Sequence, residues 1–246
     1  MTRPKPVVLM TRPRPSAERF VALLSDRCRE KTDIIFSPLI EISPLPVSAE
    51  NDRAAAVIFT SANAVAAVAN VVPGAGRPAY CVGRTTTQAA SRAGWDARFA
   101  GQNAGELIEK LTRDGAVTPL VHLRGRHTRG EIAGKLTKAG IPVQDRVVYD
   151  QVLLPLSQDA IAAVGRAETV VAPIFSPRTA RHFAGQIQNA GKCHVIALSP
   201  AVADPLKTCG FAEIRVAGQP NAASLAKTFQ SCVDTLTRVE GGSAAQ

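Results

Sequence analysis

The chain has 246 residues, of which 46% are hydrophobic and 4% aromatic, and it carries a net charge of +9. That balance excludes a disordered chain and suits one large or two ordinary domains. Few aromatics disfavour a protein that stacks on bases, and no apolar run approaches the roughly 20 residues of a membrane span.

In chain order, "VVLM" (7–10) is the first predicted strand, inside an N-terminal stretch whose apolar core is too short for a signal peptide. A cytoplasmic location follows as the expectation. "TRPRPS" (11–16) is a polar turn, and residues 16–24 predict an amphipathic helix with Phe20, Leu23 and Leu24 on one side, Glu18 and Arg19 on the other, and Ser16 as its N-cap. "SPLIEISPLP" (37–46) is extended and punctuated by prolines. "AAVIF" (55–59) then predicts a strand leading into the turn "TSAN" (60–63). "CVGRTTTQAA" (81–90) is a strand-to-helix turn around Gly83; phosphate, carboxylate or the helix's own first turn would all suit its hydrogen-bonding groups. Tyr80 stands just before that strand. "PLVHL" (119–123) leads into "RGRHTR" (124–129), the second concentration of positive charge after Arg12 and Arg14. "RVVYDQVLLPLS" (146–157) is a second extended, proline-ended segment. "ETVVAPIF" (168–175) and "HVIAL" (194–198) are the last strands, followed by "SPRT" (176–179) and "SPAV" (199–202), and the tail "EGGSAAQ" has a disordered composition.

The chain repeats itself. Gly94 matches Gly210, Trp95 matches Phe211, "AGQ" at 100–102 recurs at 217–219, and Ser61 stands opposite Ser176, all at offsets near 115 to 118. "VVLMTRPRPSAERFVALL" (7–24) resembles "PLVHLRGRHTRGEIAGKL" (119–136), with Arg12 facing Arg124. The order is X, Y, X′, Y′: two similar domains of class α/β, each a small parallel sheet flanked by helices. Two extended β crossovers near 37–40 and 148–152 join them, giving a discontinuous domain of 1–36 plus 152–246 and an inserted domain of 39–148, with a ligand cleft expected between. In such sheets ligands sit at the carboxyl ends of the strands, where the polar turns fall.

Five scattered cysteines without a CxxC pair indicate free thiols, and the four histidines (His122, His127, His182, His194) lack metal-ligand spacing and read as surface or edge side chains. No metal is expected. The basic surplus points to a small anionic partner rather than nucleic acid or membrane.

In order and spacing, "IFTSANAV", "CVGRTTTQA", "LRGR", "VVYDQV" and "IFSPRTA" resemble the uroporphyrinogen-III synthase family across nearly the whole chain. That resemblance implies cyclisation of the linear tetrapyrrole hydroxymethylbilane, an octacarboxylate, to uroporphyrinogen III, with loss of water and inversion of ring D, in haem biosynthesis. It implies no cofactor, and a monomer is the default. It makes Tyr149 the proton donor, and the substrate-binding candidates are Arg12, Thr60, Ser61, Asn63, Gly83, Thr85, Thr86, Arg124, Arg129, Ser176 and Ser199. The chain departs from the family at "SPAV", where Ser199 and Val202 replace glycine and threonine, and at Arg84, where a glutamate is common. The competing expectation is a non-catalytic two-domain α/β binding protein for a small polyanion.

Overall fold

The computed structural model describes residues 4–47, 54–127 and 130–238. By contact density the chain divides into two compact units, 1–41 with 153–246, and 42–152.

The first unit begins with β1 (Val7–Met10), α1 (Arg14–Val21), α2 (Asp26–Glu30) and β2 (Asp33–Phe36). The second contains most of β3 (Ile40–Pro44), then β4 (Ala56–Phe59), α3 (Ala62–Val68), β5 (Pro78–Val82), α4 (Arg84–Arg92), β6 (Asp96–Gly101), α5 (Ala104–Asp114), β7 (Leu120–Gly125), α6 (Ile132–Lys138) and β8 (Val143–Leu153). The first unit resumes with α7 (Gln158–Arg166), β9 (Val170–Ile174), α8 (Pro177–Ala184), β10 (Cys193–Ala197), α9 (Pro200–Ala203), β11 (Glu213–Val216) and α10 (Ala222–Leu236).

The strand order is β11-β10-β9-β1-β2 in one sheet and β3-β8-β7-β4-β5-β6 in the other. Replacing each strand of the first by its sequence repeat gives β6-β5-β4-β7-β8, so the X, Y, X′, Y′ duplication is a duplication of topology. β1 pairs in parallel with β2 and β9, and β7 in parallel with β4 and β8. Parallel pairing needs a crossover after each strand, and the helices supply it.

Both faces of each sheet are covered, which is why the strands read as apolar runs. Val7 and Leu9 enter one core with Val170, Ala172 and Phe183. Val8 and Met10 point the other way, to Phe20 and Phe229. In β4, Val57 and Phe59 pack with Trp95, while Ala56 and Ile58 pack with Leu107 and Leu136. The repeated residues occupy matching places: Gly94 and Gly210 both have positive φ, 82° and 72°, and Asn103 and Asn221 cap α5 and α10.

Several local expectations change. α1 starts at Arg14, with Pro13 as its N-cap and a proline in its first turn, because Pro15 suits a helix start. Ser16 lies inside the helix and accepts a hydrogen bond from Arg19 instead. The helix ends at Val21 rather than near 24: Phe20 is buried within it and Leu24 is buried in the turn that follows, but Leu23, also in that turn, is 48% exposed. Tyr80 lies within β5, its hydroxyl accepting from the Val117 amide at 3.0 Å. The tail lies outside the described residues.

Phe229 is fully buried and packs edge-on against Phe20, with ring centroids 6.1 Å apart. Phe229→Ala is expected to cost about 3–5 kcal/mol of stability, read from denaturant midpoints.

Candidate functional site

Parallel strands place the polar turns of each unit along its carboxyl edge. In the first unit that edge brings Arg12, which follows β1, beside Ser176, which follows neighbouring β9. The Arg12 guanidinium lies 4.0 Å from the Phe175 ring centroid. Burial, and then Arg19, lower its pKa, and no carboxylate pairs with it among the described residues. Ser176 caps α8: its Oγ accepts from the Thr179 amide at 3.1 Å and lies 2.8 Å from the Thr179 hydroxyl. Ser199 is the N-cap residue of α9 but makes no side-chain capping bond.

The second unit repeats the arrangement. Ser61 caps α3, accepting from the Asn63 amide at 3.2 Å, and both residues are half-buried. Gly83 stands at the N-cap of α4 with φ 77°. A Cβ there would meet nothing within 4 Å, so backbone conformation rather than space selects glycine. With no capping side chain, the amides of Arg84, Thr85 and Thr86 have no hydrogen-bond partner among the described residues. Three free amides at a helix start form the anion-binding arrangement in its simplest form. Thr85 is exposed and Thr86 buried. Val202, the counterpart of Thr86, is also buried, so the second copy keeps the side chain's volume and loses its hydroxyl.

Tyr149, on β8, is 4% exposed and belongs to the core that contains Phe59 and Trp95. Its hydroxyl makes no hydrogen bond with described residues. A methyl group on Gly125 would lie 2.5 Å from Tyr149 Cζ and 2.8 Å from its oxygen, so the ring lies against bare backbone at the end of β7. Gly125 is thus the neighbour of the candidate Tyr149, and the "LRGR" spelling was its only trace in the sequence.

Arg124 is less free than its charge suggests. Its Nε lies 3.1 Å from Asp145 Oδ2, though without an aligned N–H, and its Nη1 donates to the Gly125 carbonyl. Asp145 also takes Nδ1 of His122 at 2.9 Å, and His122 Nε2 faces the Thr60 hydroxyl at 3.4 Å. His122 is only 2% exposed, which corrects its reading as a surface or edge histidine: β7 is an inner strand, and period-two alternation turns His122 under α5 and α6. Arg129 lies outside the described residues.

A groove of about 620 Å³ lined by Thr118, Leu120, Thr137, Pro142 and Arg146 lies at the amino end of β7 and β8, the opposite edge from these turns. It shares no residue with them.

A sequence profile described as uroporphyrinogen-III synthase HemD matches residues 20–227. The chain belongs to the uroporphyrinogen-III synthase family. Its fold is similar to the crystal structure of uroporphyrinogen-III synthetase from Helicobacter pylori 26695, at 18% identity, TM-score 0.68, over 93% of this chain and 100% of that one. It is also similar to a mutant uroporphyrinogen III synthase from the extremely thermophilic bacterium Thermus thermophilus, at 13% identity, TM-score 0.53, over 94% and 99%. A search of curated sequences finds no significant match.

Beyond the carboxyl edges, this synthase-family chain brings His194, Glu213 and Cys232 together, their donor atoms within 4.8 Å of one another. No sequence spacing signals this, because the three come from β10, β11 and α10. Arg215 already holds Glu213 at 2.7 Å, and burial pushes the Cys232 thiol up to about 11, so the group is a protonated thiol beside an ion-paired carboxylate. Cys81 and Cys193 are pushed up to about 12 by burial, and all five cysteines are free.

Gly125→Ala is expected to cost about 1–3 kcal/mol by overpacking. Adding Tyr149→Ala, which removes the ring, should recover part of that loss in denaturant titrations of the four proteins. His122 yields a pH prediction. Burial lowers its pKa below the usual value near 6.5, although Asp145 opposes this. The unfolded chain therefore takes up the proton first, so stability is complete above about pH 6.5 and falls as the pH drops below it. His122→Gln should flatten that acid limb in urea midpoints measured against pH.

Proposed function

We infer that this chain is a uroporphyrinogen-III synthase, closing hydroxymethylbilane to uroporphyrinogen III with loss of water and inversion of ring D. The observation that carries this reading is the family match over residues 20–227, on a fold whose two carboxyl edges each present hydrogen-bond donors suited to anions. No described helix is long and apolar enough to cross a membrane.

The substrate is a polyanion with eight carboxylates. The amides at the start of α4, the exposed Thr85 hydroxyl and Arg12, which has no acidic partner among the described residues, offer it donors, and the capping side chains of Ser61 and Ser176 hold neighbouring helix starts at the same edges. We assign Asn63, Gly83, Thr86 and Ser199 to the same surfaces. Arg124, held by Asp145, contributes a partly neutralised charge.

Closure makes a modest chemical demand. Electron-rich pyrroles expel water to form an azafulvene once the leaving hydroxyl is protonated. Tyr149 is the donor we assign to that step: its phenol makes no hydrogen bond with described residues, and its ring lies against the Gly125 backbone. Unaided closure gives the other isomer, so holding the chain in its curl decides the product. We propose that the protein works as a cytoplasmic monomer.

Supplied with freshly made hydroxymethylbilane, the protein should give the type III isomer, resolved by chromatography. Type I alone, at the spontaneous rate, overturns the assignment, and tight binding without turnover points to a polyanion-binding protein. Tyr149→Phe should fold normally and lose about 10²-fold or more in type III formation. Near-normal activity in that variant removes Tyr149 from the mechanism.

A further inference from the structure

We propose that Asp145 and His122 fix Thr60 as a hydrogen-bond acceptor, so that its hydroxyl receives a pyrrole N–H of the substrate rather than binding a carboxylate. The proposal rests on the synthase reading and concerns the same carboxyl edge.

The polarity follows from a chain of contacts. Asp145 Oδ1 lies 2.9 Å from His122 Nδ1, and a carboxylate only accepts, so Nδ1 carries the proton. The neutral imidazole then has its lone pair on Nε2, the nitrogen that faces Thr60 Oγ1 at 3.4 Å. Thr60 must donate to it. That uses the one proton of the hydroxyl and leaves lone pairs for any further partner. A carboxylate offers only lone pairs of its own, whereas each pyrrole of a linear tetrapyrrole carries an N–H.

The surroundings hold this sense in place. His122 is 2% exposed, and Leu107, Leu111, Ile132 and Leu136, from α5 and α6, form the apolar core on its side of the sheet. The charged groups that act on it are Asp145, on β8, and Arg124, on its own β7. Arg124 lies 3.1 Å from the other Asp145 oxygen and steadies the carboxylate. Thr60, on the turn after β4, is the half-buried end of the chain of contacts. His122 and Asp145 are therefore positioning residues, and Thr60 is the group that touches substrate. Burial favours the neutral ring, and protonation would give Nε2 a hydrogen of its own and turn Thr60 into a donor.

Asp145→Asn is the informative variant, because an amide can donate to Nδ1 and move the ring proton to Nε2. It is expected to reduce kcat/KM for type III formation about 10- to 100-fold with little change in thermal midpoint. Thr60→Val should cause a similar loss, and the double variant should lose no more than either alone. Additive losses overturn the proposal. Nitrogen-15 NMR of His122 in the wild-type protein tests it without any variant or activity. A protonated Nδ1 with a bare Nε2 at pH 7.5 supports it, and the reverse tautomer overturns it. If the wild-type protein makes only the type I isomer, the synthase reading fails, while the NMR result still decides the polarity of Thr60.

Discussion

Parallel pairing is the constraint on which the rest of this molecule depends. Each strand must leave its sheet through the same edge as its neighbours and return by way of a helix, so strand ends and helix starts collect on one side. Helix starts carry unpaired amides. Each unit therefore acquires a row of hydrogen-bond donors from its connectivity, before any side chain is chosen. Side chains then decide which amides are used internally and which stay open. Ser61 and Ser176 close one helix start in each unit, whereas Gly83 and Ser199 leave the next one without a side-chain cap.

The two copies have diverged around this shared plan. Arg12 rests on an aromatic ring with no acidic partner among the described residues, whereas Arg124 is held by Asp145. A threonine in one copy stands where the other has Val202. The two carboxyl edges are therefore chemically distinct, although they share one topology.

The repeat was readable because its landmarks have backbone reasons to persist. Gly94 and Gly210 share a positive φ, and Asn103 and Asn221 share a capping role. Alternation of strand and turn placed the polar stretches at the carboxyl edges for the same local reasons. Long-range pairing was not readable. Nothing in the spelling of β7 shows that His122 meets Asp145 across a strand pair, or that Gly125 lies under the ring of Tyr149. Both contacts depend on the register of β7 with β8, which slips between Arg124 and Gly125. The exposure of Leu23 was misread because α1 ends at Val21, so Leu23 lies in the turn beyond the helix rather than on its apolar stripe.

The order of the halves along the chain bears on how the protein is made. β4 finds its partner β7 within a continuous segment, as Ala56 pairs with Leu120. β1 pairs Val7 with Val170, a separation of 170 − 7 = 163 residues. On the ribosome the second unit can therefore close while β1 and β2 still lack the rest of their sheet, and the first unit must wait for β9, β10 and β11. The apolar strand β1 then waits for β9, so completion of its sheet, rather than formation of the first core, ends its exposure to aggregation.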